Sequence, residues 1–312
     1  LLSNISFMDL RGRTRKIIHV LQDRLLEAVR SLTGSTGSIH IPRLSHGTKW
    51  RNPATRIWEI HPILEVARAY IESLPGPICL VVTDQTAVLG LEDVGPLGGH
   101  PVMVGKAKIN ASAGRFTALP VSIDSTDDES IIAITEYLAK ARGVRAINLE
   151  DITGKGGRCF HIQRELQDRL EIPVFHDDQD GTAIITLAGL LVALEDQKKS
   201  LDSVKIVISG AGAAGIKIAR FLLAAGAKGD NLVMLDSRGI LSSARPDLVA
   251  GKGGEEKLDL LREIQSGLDG GYALAAREGR QPEDRDGILA NDRTVALRGA
   301  DVFIGMSVAN II

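Results

Sequence analysis

The sequence predicts an α/β protein in which an N-terminal α/β domain is followed by a Rossmann-like dinucleotide-binding domain, with a cleft between them. Three observations carry that expectation. Short apolar runs alternate with segments of helical spacing from Ile78 to Gly181, as in a parallel sheet with crossover helices. Two of those runs, Arg145–Leu149 and Ile172–Phe175, flank a helical stretch, Phe160–Leu170, and each stops at a pair of acids, Glu150-Asp151 and Asp177-Asp178. Val204–Ser209 leads at once into Gly210-Ala211-Gly212-Ala213-Ala214-Gly215.

The 312 residues divide into an N-terminal helical extension and linker (1–50), a first α/β domain (51–181) and a nucleotide domain (182–312) expected to be incomplete. A hydrophobic share of 44% and a charged share of 24% are those of a globular protein. A net charge of −2 makes no electrostatic case for nucleic acid, and no basic run marks a membrane surface. Cys79 and Cys159 form no CxxC pair, which fits a reducing cytoplasm and argues against structural zinc. The most apolar helix, Ala183–Leu194, is too short to span a bilayer and reads as buried core.

In chain order, Thr14–Leu32 reads as a basic amphipathic helix for packing or dimer contact, and Gly34–Lys49 as linker. Trp58–Leu74 is helical and stops at Pro75-Gly76-Pro77. Ile78–Thr83 is a buried strand ending at Asp84, and Ala87–Leu91 a second short strand. Gly95-Pro96-Leu97-Gly98-Gly99 leads into a helix, Val102–Ala113, that holds Lys106. Leu119–Ile123 is a strand, and Asp127–Ala141 a helix opened by acids, as the helix dipole prefers. Beyond the glycine loop come a helix, Ile216–Ala225, and a strand, Asn231–Leu235. Residues 250–293 read as a surface insertion with a helix at Glu255–Leu268, and Ala300–Gly305 as a further strand.

Two parallel strands joined by one helix bring their carboxyl ends to one edge of the sheet, where open α/β folds bind ligands. Acids gathered there suit a hard cation, Mg²⁺ or Mn²⁺. Spacing alone equally allows the plain reading, in which Asp178 or Asp180 caps the next helix and Glu150-Asp151 ends a strand at the surface. The glycine loop, with a strand before it, a helix after it and Asp236 roughly 20 residues on, is a dinucleotide site for NAD or NADP. Asp236 favours NAD, whereas Arg238 offers a partner for a 2′-phosphate, so the choice stays open. His46, His61 and His100 read as structural or exposed, His176 as a hydrogen-bonding loop histidine rather than a metal ligand, and Cys159 has no neighbouring base.

Several segments together resemble one family. VVTDQTAVLGLEDVGPLGGHPVMVGKA (81–107), INLEDI (147–152), IPVFHDDQDGTA (172–183), KIVISGAGAAGIKIA (205–219), DSRGIL (236–241) and GADVFIGMSVAN (299–310) resemble, in order, the malic enzymes of the short bacterial and archaeal type. The resemblance implies oxidation of L-malate by NAD(P)⁺ with a divalent metal, decarboxylation to pyruvate, and a homodimer or homotetramer. It also implies metal ligation by Glu150, Asp151 and Asp178, and a general base at Lys106. Nucleotide binding would fall to Gly210–Gly215 and Asp236, and Asn310 would lie near substrate and nicotinamide.

The departures bear on activity. Where the family carries a proton-donating tyrosine before its proline, this chain has Arg51-Asn52-Pro53, and an arginine stays protonated although it can bind a carboxylate. Gln85 and Glu92 replace glycines, Asp180 replaces a histidine or glutamine, and a later asparagine motif has no counterpart up to Ile312. A catalytically silent nucleotide-binding relative is therefore the alternative to an active malate oxidoreductase. Within enzymes, a malate decarboxylase without net redox also fits, while an amino-acid dehydrogenase is disfavoured by the three acids.

Overall fold

The computed structural model describes residues 37–45, 47–51, 58–242, 245–250, 254–264 and 296–307. They form two compact units. The first takes the described residues up to Asp151 together with Glu165–Val174, and the second takes Ile152–Arg164 and the described residues from Phe175 on.

The first unit opens with a short strand, β1 (Ile39–Ile41), and a hairpin, β2 (Lys49–Arg51) and β3 (Trp58–Ile60), in which Arg51 lies opposite Trp58. Helix α1 (Pro62–Ser73) starts where Pro62 fits its first turn, and the His61 ring accepts the Ile63 N–H. Strand β4 (Ile78–Thr83) is buried at all six positions, which is why it reads as an unbroken apolar run. A single turn, Gly95–Gly98, leads into α2 (His100–Gly114), closed by Arg115 at φ 54°. Strand β5 (Thr117–Ile123) follows, then α3 (Asp128–Ala139), whose cap Asp127 accepts the Ser130 N–H at 3.0 Å. Strand β6 is Val144–Leu149. The chain passes between units within α4 (Arg158–Arg169) and β7 (Val174–His176). The sheet order is β1-β5-β4-β6-β7, with β1, β5, β4 and β6 parallel. This brings the ends of β4 and β6 to one edge.

In the second unit, a π-helical turn (Asp177–Gly181) precedes α5 (Thr182–Asp196). Strand β8 (Ile206–Ser209), α6 (Ala213–Ala224) and β9 (Leu232–Asp236) form the expected parallel crossover. β10 (Gly239–Ile240) turns back against β9, α7 spans Glu255–Glu263, and β11 (Val302–Gly305) pairs in parallel with β8. Val207, Val233, Leu235, Ile240 and Ala296 form the core under the β10-β9-β8-β11 sheet.

Several expectations are corrected. The stretch read as linker contains β1, an edge strand created by pairing with β5 rather than by any local run. Trp58–Ile60 is a strand, paired antiparallel with Lys49–Arg51, and the helix starts only at Pro62, which disfavours helix in His61 before it. Ala87–Leu91 is a tight turn closed by a Val88–Glu92 bridge, with Gly90 at φ 77°. Helix α5 is not buried core: Ala183 and Leu194 are its buried residues, while Ile185 is 74% and Val192 68% exposed. No helix among the described residues is long and apolar enough to cross a membrane. Part of the 250–293 stretch is no surface insertion, since α7 buries Leu260 and ties to α6 through Arg220, at 3.0 Å from Glu256 and 2.9 Å from Glu263. The helix expected at Thr14–Leu32 lies outside the described residues.

Leu80, fully buried in the central strand, tests this core. Leu80→Ala should lower the stability of the first unit by about 2–5 kcal/mol in urea unfolding followed by circular dichroism. A loss under about 1 kcal/mol would contradict its placement.

Candidate active site

In the first unit, β6 delivers Glu150 and Asp151 to the sheet edge, both almost wholly buried. Glu150 stays in the sheet's hydrogen bonding, its N–H donating to the Val82 carbonyl at 2.9 Å, whereas Asp151 turns to φ 54°. The Asp151 carbonyl accepts the Ala87 N–H at 2.9 Å, so the turn after β4 is tied to the end of β6. Lys106, on α2, places Nζ 2.7 Å from Glu150 Oε2 and 2.7 Å from Asp151 Oδ1. The other Glu150 oxygen accepts from Asn148 Nδ2 at 2.8 Å. Burial alone would lower the Lys106 pKa, but the bonds from Asp151 and Glu150 outweigh it and hold the ammonium above the ordinary lysine value.

The turn after β4 is unusual. Asp84 Oδ1 accepts from both the backbone and the hydroxyl of Thr86, and Gln85, buried, sits at φ 59°. Its side chain donates to Ser122 Oγ at 3.1 Å and lies against Gly99, where a Cβ would collide with it. Glu92 also adopts φ 59°, on the exposed turn. Both residues that stand in for glycines thus take a glycine-like backbone. Arg51 is exposed at the end of β2, and Tyr70 is buried in α1 with its hydroxyl against Gly37.

In the second unit, Asp178 lies on the π-helical turn with 37% of its side chain exposed, 3.8 Å from His176 Nδ1. His176 ends β7 and is fully buried. Burial, and then the charge of Asp178, pushes the Cys159 thiol up to about 12, so it is no nucleophile. Among the described residues of either unit, no three His, Cys, Asp or Glu side chains gather as a metal-binding group.

The glycine loop has the geometry its spacing predicts. Gly210, at φ 122°, donates to the Leu235 carbonyl at 2.8 Å, and a Cβ on it would strike the Met306 carbonyl. A Cβ on Gly215 would overlap the Gly210 carbonyl oxygen, so the helix can only start this close to the strand with glycine there. Gly212 sits at the cap of α6, Ala213 and Ala214 form its first turn, and Ala211 is buried before it. Asn310 lies outside the described residues.

Asp236 ends β9 where expected, but its oxygens are already engaged. Arg245 grips both at 2.8 Å, Lys257 lies 2.6 Å from Oδ2, and the Arg238 N–H donates to Oδ1 at 2.8 Å. Burial would raise the carboxyl's pKa, yet the bonds from Arg245, Lys257 and the Arg238 backbone hold it well below the usual carboxylate range. Asp247 in turn pairs with Arg245 at 2.7 Å and Arg238 at 3.0 Å. Nothing in the sequence pattern singles out Arg245 or Lys257; their positions beyond an irregular loop carry no motif.

The chain matches the family model described as malic enzyme, N-terminal domain, over residues 48–145, and that described as malic enzyme, NAD binding domain, over residues 179–262. It is 44% identical over 191 residues to an NADP-dependent malic enzyme of Halomonas elongata, covering 60% of this chain and 44% of that relative. It is 38% identical over 245 residues to an NAD-dependent malic enzyme of Geobacillus stearothermophilus, covering 78% of this chain and 45% of that relative. The chain thus spans less than half the length of these two proteins. The crystal structure of an NAD-dependent malic enzyme from Thermotoga maritima superposes with a TM-score of 0.64 at 34% identity, over 92% of this chain and 69% of that one. Two successive family domains in the same order, and a solved relative of this identity matched over this much of its length, show that the chain belongs to the malic enzyme family.

Proposed function

We propose that this chain carries out the divalent-metal-dependent oxidative decarboxylation of L-malate to pyruvate and CO₂, with NADP⁺ as the preferred oxidant. The observation that carries the reading is Lys106 held between two buried carboxylates, Glu150 and Asp151, at the sheet edge. The carboxylate oxygens of both converge on one cationic nitrogen, so this pair of hard donors is already focused as a cation site, and Mg²⁺ or Mn²⁺ fits it chemically. Asp178, from the second unit, is the third proposed ligand. When bound, the metal supplies Lewis acidity at the substrate's hydroxyl and carbonyl oxygens, and the nicotinamide takes up two electrons.

Lys106, whose Nζ is hydrogen-bonded at 2.7 Å to one oxygen of each proposed ligand, would receive the hydroxyl proton as malate is oxidised, having first lost its own proton when a metal ion neutralises those carboxylates. Asn148 donates to Glu150 Oε1 while Lys106 holds Oε2, which fixes the orientation of the carboxylate. Arg51 is no proton donor; its guanidinium suits a carboxylate. The glycine loop brings bare backbone to the pyrophosphate, and Asn310 is proposed near substrate and nicotinamide.

The preference for NADP⁺ follows from Asp236. With Arg245 and Lys257 on its oxygens, the acid has little capacity left for ribose hydroxyls. Three cations, Arg238, Arg245 and Lys257, face two carboxylates, Asp236 and Asp247, which leaves positive charge for a 2′-phosphate.

Three measurements test the reading. With L-malate, Mn²⁺ and NADP⁺, the chain should form NADPH and pyruvate; turnover only after Arg51→Tyr would instead favour the silent-relative reading. Lys106→Ala should lower kcat by about 10²–10⁴, and an unchanged rate would remove Lys106 from the chemistry. Lys257→Met should raise the KM for NADP⁺ by about tenfold or more, the worth of a hydrogen bond to a charged group, and leave NAD⁺ little affected. Equal changes for both nucleotides would refute the 2′-phosphate assignment.

A further inference from the structure

The turn that carries Asp178 is an expensive one. It closes as a π-helical turn, a rare conformation met mostly at functional sites. It also buries Gln179 completely, with neither polar atom of the side-chain amide hydrogen-bonded by the described residues. Such groups destabilise a fold, so something must hold the turn closed.

That role falls to Asp180. Its Oδ2 accepts from the His176 N–H at 3.0 Å and from Gln163 Nε2 at 2.5 Å, while Oδ1 pairs with Lys217 Nζ at 2.9 Å. The partners come from β7, α4 and α6, so one carboxylate ties the start of the turn to the helix before it and to the helix after the glycine loop. All of these residues belong to the second unit. With Gln179 and Asp180 turned inward, the turn leaves Asp178 the more exposed. Both oxygens of Asp180 are committed, which removes it as a ligand itself. The charge that sets this chain apart from its family's histidine or glutamine is matched by the Lys217 ammonium.

We propose that Asp180 and Lys217 are a positioning pair for Asp178, fixing the turn so that the Asp178 carboxylate is presented for metal ligation. This rests on the reading of Asp178 as a metal ligand given above. Neither residue touches substrate in this role. The pair acts by geometry, and its loss is felt as weakened metal binding before it is felt in the chemistry.

The test is Mn²⁺ binding by the full chain, followed through the electron paramagnetic resonance signal of free Mn²⁺, with circular dichroism and thermal melting alongside. Lys217→Met should weaken Mn²⁺ binding by about 10–100-fold, as loss of a supporting partner does, in a chain that stays folded. Lys217→Arg should bind as the parent does. Asp180→Asn with Lys217→Met removes both charges but keeps acceptors for His176 and Gln163, and should recover most of the affinity. A purely structural pair would lower the melting temperature while leaving Mn²⁺ affinity alone, and parent-like affinity in Lys217→Met overturns the proposal. Should that variant not fold, Asp180→Asn decides, with weakened binding in support and parent-like binding against. Glu150→Gln separates the two readings. If the parent binds no Mn²⁺, or if Glu150→Gln binds it unchanged, the metal assignment itself fails and the positioning role falls with it.

Discussion

Two carboxylates side by side in a protein interior cannot both stay ionised without a cation, and Glu150 and Asp151 are nearly inaccessible to water. The first unit is arranged around that constraint. The parallel pairing of β4 with β6 brings Val82 into hydrogen bonding with Glu150 and lets the next turn bond to Asp151 through Ala87. Helix α2 runs so that Lys106 reaches both acids from its second turn, and Asn148 holds Glu150 from within β6. A lysine held in this way is strongly protonated. In the proposed reaction it would act as a proton acceptor only with another cation sharing the charge of these carboxylates.

A similar logic governs Asp236. An acid at the end of the strand after a glycine loop is ordinarily read by itself, as a partner for ribose hydroxyls. Here its meaning is set by residues that arrive later in the chain. Arg245 is itself buried, and a guanidinium placed there without a carboxylate would be costly. Asp236 and Arg245 therefore stabilise each other, and Lys257 adds the surplus charge.

The parts of the fold legible in the sequence are those set by local physics. Ile78–Thr83 and Val204–Ser209 declare themselves as strands because burial on both faces leaves no polar position. Asp127 and the first-turn acids announce α3, and the glycine loop is fixed by how closely Gly210 and Gly215 approach backbone atoms. What the sequence could not show depends on distant partners. Ile39–Ile41 is a strand only because β5 lies beside it, and Ala87–Leu91 failed as a strand because Gly90 turns it too soon. The apolar residues of α5 gave no sign of which of them would be covered. At the candidate site, Lys106, Glu150 and Asp151 come together, while Arg245, Lys257, Gln163 and Lys217 entered through contacts that no motif encodes.

The departures from the family pattern divide along the same line. Gln85 stands where glycine is usual and takes the left-handed backbone, a cost of roughly 1 kcal/mol, offset by its bonds to Thr83 and Ser122. Asp180 adds a buried charge and finds an ammonium. Arg51 changes the chemistry available without straining anything, since it is exposed at a strand end. Compensation by itself shows only that the fold has been kept. The turn at Asp177–Gly181 says more, because a chain under pressure for stability alone would do better to drop the π-helical geometry and place an apolar residue at Gln179. Keeping an unfavourable turn, and building a three-partner brace to hold it, makes sense where the position of Asp178 matters more than the stability given up to secure it.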